Sequence, residues 1–323
     1  MASTITPTRN TKLDSVKTIL IFMVVLGHTL QSRDVGILNS INVSIKVFIF
    51  SFHMPLFIII SGYFFNTKAS NKTFFKRLVE ILASYVVFQA IRVVLSGNFG
   101  IYSILNPKYT LWYLLCLVYW RLLTYYLSKI ISTKIILLLS IVICMSAGFV
   151  DTTLLSFQRA CVFFPFFVMG NLLHSSGSIE RIDKTKIYYG ILSVIAVTTT
   201  YCVVSKIYDV DFMTTFQGKS PYYGTADITM RCVWFLLSIP LCYGIYRIIP
   251  DSTKLAKYGG STLAVYLLHS FFTERFGFIL RNTFLTNDII TNVLYSLLVM
   301  TICIQLYKIK LIKRIISPIK FAR

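Results

Sequence analysis

The chain has 323 residues, of which 56% are hydrophobic and only 14% charged, with a mean hydropathy of +0.71. Soluble domains carry about 25% charged residues, so an ordinary soluble class is excluded at the outset. The formal net charge of +20 would suit a nucleic-acid binder, but such proteins gather their bases on one folded face. Here the Lys and Arg residues punctuate apolar runs near the length of about 20 residues that crosses a bilayer, so lipid and not nucleic acid is the expected partner.

Ten apolar segments can be read between charged or turn-forming residues: Leu13–Gln31, Ile45–Phe65, Arg77–Leu95, Leu111–Leu127, Lys134–Phe149, Phe157–His174, Ile187–Tyr208, Ile228–Ile249, Thr262–Leu280 and Ile289–Tyr307. They predict an all-α polytopic membrane protein of about ten transmembrane helices, forming one domain over 1–323 with a short basic tail from about 308. Several segments are short, which suits tilted helices around a thinned interior or a re-entrant piece. The seven Cys stand singly, mostly inside apolar runs, so neither a metal site nor a disulfide framework is expected. The polar N-terminal stretch predicts no cleavable signal peptide.

Ionisable residues inside lipid-facing runs are costly, which makes each one a candidate for function. In chain order they are Lys17 and His28, His53, Glu80 and Arg92, Arg121, Arg159 and His174, Arg231, and His269 with Glu274 and Arg275. Lys17 and His28 are separated by about three helical turns, or about 16 Å of rise, and fall within roughly 20° of one face. That face carries an ammonium at one end and an imidazole toward the other, a rail for a long ligand with an anionic head and a reactive end. Asp14 lies close to the same face and could orient Lys17. The plain alternative is a snorkelling Lys17 and a hydrogen-bonded core His28.

The second segment holds His53 within a turn of Pro55, whose ring frees a backbone carbonyl and kinks the helix. Taken alone, His53 reads as a core histidine. Lys76 and Arg77 open the third segment as a positive anchor or a nucleotide-phosphate site. Trp112 sits in an interfacial aromatic belt, and Arg159 either snorkels or holds an anion.

Several of these segments together resemble the membrane-bound acyltransferase-3 family, and its fucose 4-O-acetylase-like branch in particular. The matching runs are Leu13-Asp14-Ser15-Val16-Lys17 into Val24-Val25-Leu26-Gly27-His28, and Phe50-Ser51-Phe52-His53-Met54-Pro55 through Ser61-Gly62-Tyr63. Leu111-Trp112-Tyr113-Leu114 then leads to Trp120-Arg121-Leu122, and Arg159 leads to Pro165-Phe166-Phe167 and Gly170. Gly260-Ser261-Thr262-Leu263 with Tyr266-Leu267-Leu268-His269 closes the series. The third segment departs from the family pattern, with Glu80 and Ser84 where members often have a second base and a Pro.

The resemblance implies a bacterial enzyme of the cell membrane that moves an acetyl group from cytoplasmic acetyl-CoA, without a metal. The acceptor it implies is a sugar hydroxyl of a cell-surface glycan or its lipid-linked precursor. It places Lys17 at the family's first-span base and His28 at its essential histidine. Removing a hydroxyl proton needs a base, and His is the usual one. His53 or Arg159 would hold the developing oxyanion. The expected set is then His28 and His53 for catalysis, Lys17, Asp14, Lys76 and Arg77 for the donor, and Arg159, Trp112 and His269 for the acceptor. Direct transfer is favoured over an acyl-imidazole intermediate, since no Ser or Cys nucleophile motif stands out. The competing class is a transporter or flippase of a glycan precursor, which shares broken helices and buried charges.

Bases collect in alternate connections: Lys68, Lys72, Lys76 and Arg77; Lys129 and Lys134; Arg181, Lys184 and Lys186; Arg247, Lys254 and Lys257. The tail adds Lys308, Lys310, Lys313 and Arg314, whereas the connection from Lys206 to Asp227 carries Asp209 and Asp211. This asymmetry predicts cytoplasmic termini. A cysteine introduced between 209 and 227 should therefore react with an impermeant thiol reagent on intact cells. Labelling only after permeabilisation would invert the topology.

Overall fold

The computed structural model describes residues 10–31, 40–208, 212–276 and 288–321, and over these the chain is helical. The elements are α1 Thr11–Gln31, α2 Ser40–Tyr63, α3 Asn71–Ser96, α4 Ile101–Leu105, α5 Trp112–Leu127, α6 Thr133–Ser146, α7 Phe157–Ser175 and α8 Ser178–Lys184. There follow α9 Ile187–Tyr208, α10 Met213–Phe216, α11 Thr225–Ile248, α12 Thr253–Ala256, α13 Thr262–Phe271, α14 Ile289–Leu306 and α15 Lys310–Ile316. Each of the ten predicted segments falls on one of these helices.

Seven of them, α1, α2, α3, α7, α9, α11 and α14, are long and apolar enough to cross a membrane. The other three segments give shorter helices, because the regular α-geometry is interrupted at an end. Helix α5 follows a 3₁₀ turn at Tyr109–Leu111, and α6 passes into another at Ala147–Phe149. Helix α13 converts into a π-turn at Phe272–Phe276, a geometry seen mostly as single-turn bulges, often at functional sites. The rest of the ninth predicted segment, residues 277–280, the 209–211 part of the connection before α10, and the side chain of Arg275 lie outside the described residues.

Helix α1 is the most enclosed, with 72% of its apolar window buried, whereas α9 buries 17% and α14 28%. The first is therefore central and the last two face outward. Small hydroxyls join α1 to its surroundings: Ser15 Oγ donates to Ser252 O at 2.9 Å, and Thr18 Oγ1 donates to Leu255 O at 2.9 Å. Lys12 Nζ donates to Ile249 O.

Helices α2 and α7 pack with their backbones almost touching. A Cβ added to Gly62 would lie 1.9 Å from Phe167 O, and one added to Gly170 would lie 1.9 Å from Ile59 O. Small residues permit such approach, and it brings side chains of both helices to one interior. Pro55 removes the N–H that would otherwise meet Ser51 O, and Ser238 Oγ on α11 donates to that carbonyl at 3.4 Å. Asn171 Nδ2 caps the end of α2 by donating to Phe65 O at 2.8 Å.

Several of the buried ionisable residues are structural. Arg92 donates to Glu274 at 3.1 Å and to Ser270 Oγ, with its guanidinium over Phe271 at 3.6 Å. Arg231, 1% exposed, holds Ser220 O at 2.5 Å. Pairing of this kind is what makes a charge tolerable in the hydrocarbon. Gly170→Ala should lower stability by at least roughly 1–3 kcal/mol, because a methyl group would meet backbone that cannot yield. Thermal unfolding in detergent checks this, and an unchanged melting temperature would refute the close α2–α7 contact.

Candidate functional site

Two cavities lie along α1, one near Lys17 and one near His28. The first measures about 460 Å³ and is bordered by Lys17, Arg77, Glu80, Arg121, Tyr113 and Tyr266. The second measures about 260 Å³ and is bordered by His28, His53, Trp112, Arg159, Lys219 and Glu274. One helix thus brings its ammonium to one chamber and its imidazole to the other.

In the first chamber, Lys17 Nζ pairs with Asp14 Oδ1 at 2.6 Å and lies over the Phe64 ring at 4.9 Å. Asp14 does orient Lys17, but it also offsets much of its charge. Arg77 reaches this chamber, whereas its exposed neighbour Lys76 does not border it. Adjacent helical residues point about 100° apart, so one base of the pair faces in and the other away. Arg121, from α5, is the base that the sequence reading left without a role. Its guanidinium lies over Phe65 at 5.8 Å, and its Nε has no hydrogen-bond partner. A smaller cavity beside the chamber is bordered by Arg77 and Arg121 together. The signal was present, since Arg121 interrupts an apolar run straight after Trp120. Ser84, at the position that departs from the family pattern, donates to Ile316 O at 2.7 Å and so ties α3 to the C-terminal helix.

In the second chamber, the hydrogen bonds fix where each imidazole carries its proton. His28 Nδ1 lies 3.1 Å from Gln31 Oε1, His53 Nδ1 lies 2.7 Å from Ile49 O, and His269 Nδ1 lies 2.9 Å from Val265 O. The backbone carbonyls opposite His53 and His269 can only accept, so in those neutral rings Nδ1 holds the hydrogen and Nε2 offers a lone pair; with the Gln31 amide placed oxygen-first, His28 takes the same tautomer. His28 therefore has a basic nitrogen directed away from Gln31. Neutral His53 accepts and has no proton for an anion. Phe50 stands between them, 6.0 Å from the His28 ring and 4.9 Å from that of His53.

His269 is fully buried and its Nε2 has no partner. It does not border either chamber but backs His28, ring to ring at 5.4 Å. Beyond it the chambers are divided. Trp112 faces one and its neighbour Tyr113 the other. Tyr113 Oη lies 2.5 Å from Ser61 Oγ, its ring is 5.5 Å from that of Tyr266, and the Tyr266 hydroxyl donates to Thr110 O. These contacts make a partition of two tyrosines and one histidine.

Arg159 donates from Nε to Gln217 O at 3.0 Å and covers the Trp112 ring at 4.7 Å. Both residues, expected from the sequence to hold the acceptor, border the His28 chamber. His174 is exposed at the far end of α7, edge-on to Tyr63 at 5.0 Å. Among the described residues, no group of three or more His, Cys, Asp or Glu is arranged to hold a metal ion.

Comparison with known proteins adds one finding. A family model described as an acyltransferase domain matches residues 10–308. No curated protein and no solved structure matches the chain.

Proposed function

The chain belongs to the acyltransferase-3 family, whose model spans nearly all of it, and on that premise we propose that it transfers an acetyl group from acetyl-CoA to a sugar hydroxyl. The acceptor in this reading is a cell-surface glycan or its lipid-linked precursor, as in the fucose 4-O-acetylase-like branch. The observation that carries the reading is the pair of chambers on one helix, one bordered by Lys17, Arg77 and Arg121 and the other by the His28 imidazole. The family match and this arrangement favour a membrane acyltransferase over a transporter.

With cytoplasmic termini, the Lys17 chamber opens toward the cytoplasm and receives CoA. Arg77 and Arg121 hold its phosphates, with Lys17 beside them and Asp14 fixing the Lys17 rotamer. The pantetheine arm passes Tyr113 and Tyr266 and brings the thioester to His28. Nε2 of His28 takes the hydroxyl proton as the sugar oxygen attacks the acetyl carbonyl. Collapse of the tetrahedral intermediate breaks the C–S bond, and the CoA thiolate leaves and recovers the proton from His28. Neutral His53 has no proton to give, so the developing oxyanion falls to the terminal N–H groups of Arg159. His53 instead accepts from the sugar, and His269 keeps the His28 ring in place from behind.

His28→Ala should lower acetyl transfer by about 10²–10⁴ while the protein stays folded in the membrane. His174→Ala, outside both chambers, should remain close to wild type. Release of CoA by purified protein with a candidate glycan measures both, and a His28→Ala variant within a few-fold of wild type would remove His28 from the mechanism.

Donor binding gives a second test. Arg121→Gln should weaken acetyl-CoA binding by roughly tenfold or more, the effect of losing one charge-assisted contact to phosphate. Lys17→Arg should be nearly neutral, because Arg also binds phosphate and can keep the pair with Asp14. Titration of detergent-purified variants with acetyl-CoA reads this directly. Equal affinity for wild type and Arg121→Gln would move the phosphates elsewhere.

A further inference from the structure

The His28 chamber carries more positive charge than proton transfer and oxyanion stabilisation use. An oxyanion exists only in the transition state, and the terminal nitrogens of one guanidinium offer four N–H bonds to it. Yet Lys219 borders the same chamber as Arg159. Among the described residues neither forms an ion pair. The carboxylate that borders this chamber, Glu274, is bonded to Arg92 at 3.1 Å.

The loop that brings Lys219 here is fixed on both sides. Gly218 turns the chain at φ 65°, in the left-handed region, and a Cβ there would lie 2.8 Å from Phe163. Before it, Gln217 O accepts from Arg159, and after Lys219 the carbonyl of Ser220 accepts from buried Arg231. Tyr222 fastens the end of the loop, its N donating to Gly148 O at 2.8 Å and its hydroxyl to Met145 O at 2.8 Å. The backbone of Lys219, a residue otherwise exposed, is thereby held at the edge of the cavity that Arg159 also borders. That proximity, and after it partial burial, lowers the Lys219 pKa to about 8. Two like charges held together by a built loop are complementary to a permanent negative charge on a bound molecule.

We propose that the acceptor is itself an anion, a glycan whose carboxylate or phosphate docks between Lys219 and Arg159 while its neutral hydroxyl meets His28. Only the hydroxyl half of this statement rests on the acyltransferase reading; the anion seat stands on its own geometry.

The test is equilibrium binding to the full chain in detergent, without acetyl-CoA, using three probes. These are a glucuronate-containing tetrasaccharide, the same sugar with its carboxylates reduced to alcohols, and a glycerol phosphate oligomer. At least one acidic probe should bind roughly tenfold tighter than the neutral one, and which of them does so separates carboxylate from phosphate. Lys219→Gln should abolish most of this preference and Lys219→Arg should keep it, with melting temperatures reporting that both fold. Equal affinity of wild type for acidic and neutral probes, no affinity for either acidic one, or a preference untouched by Lys219→Gln would each overturn the proposal. The wild-type comparison decides even if a variant does not fold. A failure of the acyltransferase reading would appear separately, as no acetyl passed from acetyl-CoA to any probe.

Discussion

The structure depends on keeping one helix out of lipid. Helix α1 carries a carboxylate, an ammonium and an imidazole within about four turns, and an unpaired charge facing hydrocarbon would cost several kcal/mol. The remaining helices answer that constraint. Helix α2 packs against it on one side, while α13, α14 and the short α12 segment close the others. The same constraint applies around it: Arg92 meets Glu274, and Arg231 meets backbone carbonyls. Arg121, half-buried and facing a chamber with its Nε unpartnered, is then the exception that points to a ligand.

The helices were legible because each apolar run is bounded by charges; most described ends fall within three residues, while α2 and α3 begin five and six residues before the apolar run, in polar sequence. Which face of each helix points inward was much less so. A span that is apolar all round has no amphipathic stripe to read, and α9 and α11 show almost no preference of face. Lys17 and His28 escaped this limit because they share one helix, where spacing alone sets their relation. Arg121, Lys219 and Arg159 lie on three different elements, and only packing reveals which chamber each reaches. Lys76 and Arg77 make the same point at closer range, since the sequence offered both and the helix rotation selects one.

The proton positions on the histidines lay deeper still. His53 reads as a donor candidate by residue type, but its Nδ1 faces the carbonyl of the residue one turn earlier. That fact belongs to the side-chain rotamer, which packs edge-on against Phe50 at 4.9 Å. His269 likewise looks like an acceptor contact in sequence and stands in the structure behind His28.

The tyrosine partition has a consequence beyond catalysis. If donor and acceptor sit on opposite sides of the membrane, as proposed, the reaction needs a path through it, and an open path is also a leak for protons and small ions. A potential of 100 mV drives each elementary charge with about 2.3 kcal/mol, so even a narrow water column would dissipate the energy the cell stores there. Tyr113 and Tyr266, latched by Ser61 and Thr110, interrupt that column with aromatic rings. Insulation and passage are reconciled if only a slender, uncharged arm such as pantetheine displaces the latch and plugs the gap as it does so. On the proposed reaction, the cell would gain a covalent relay between two aqueous compartments that is not a conductor.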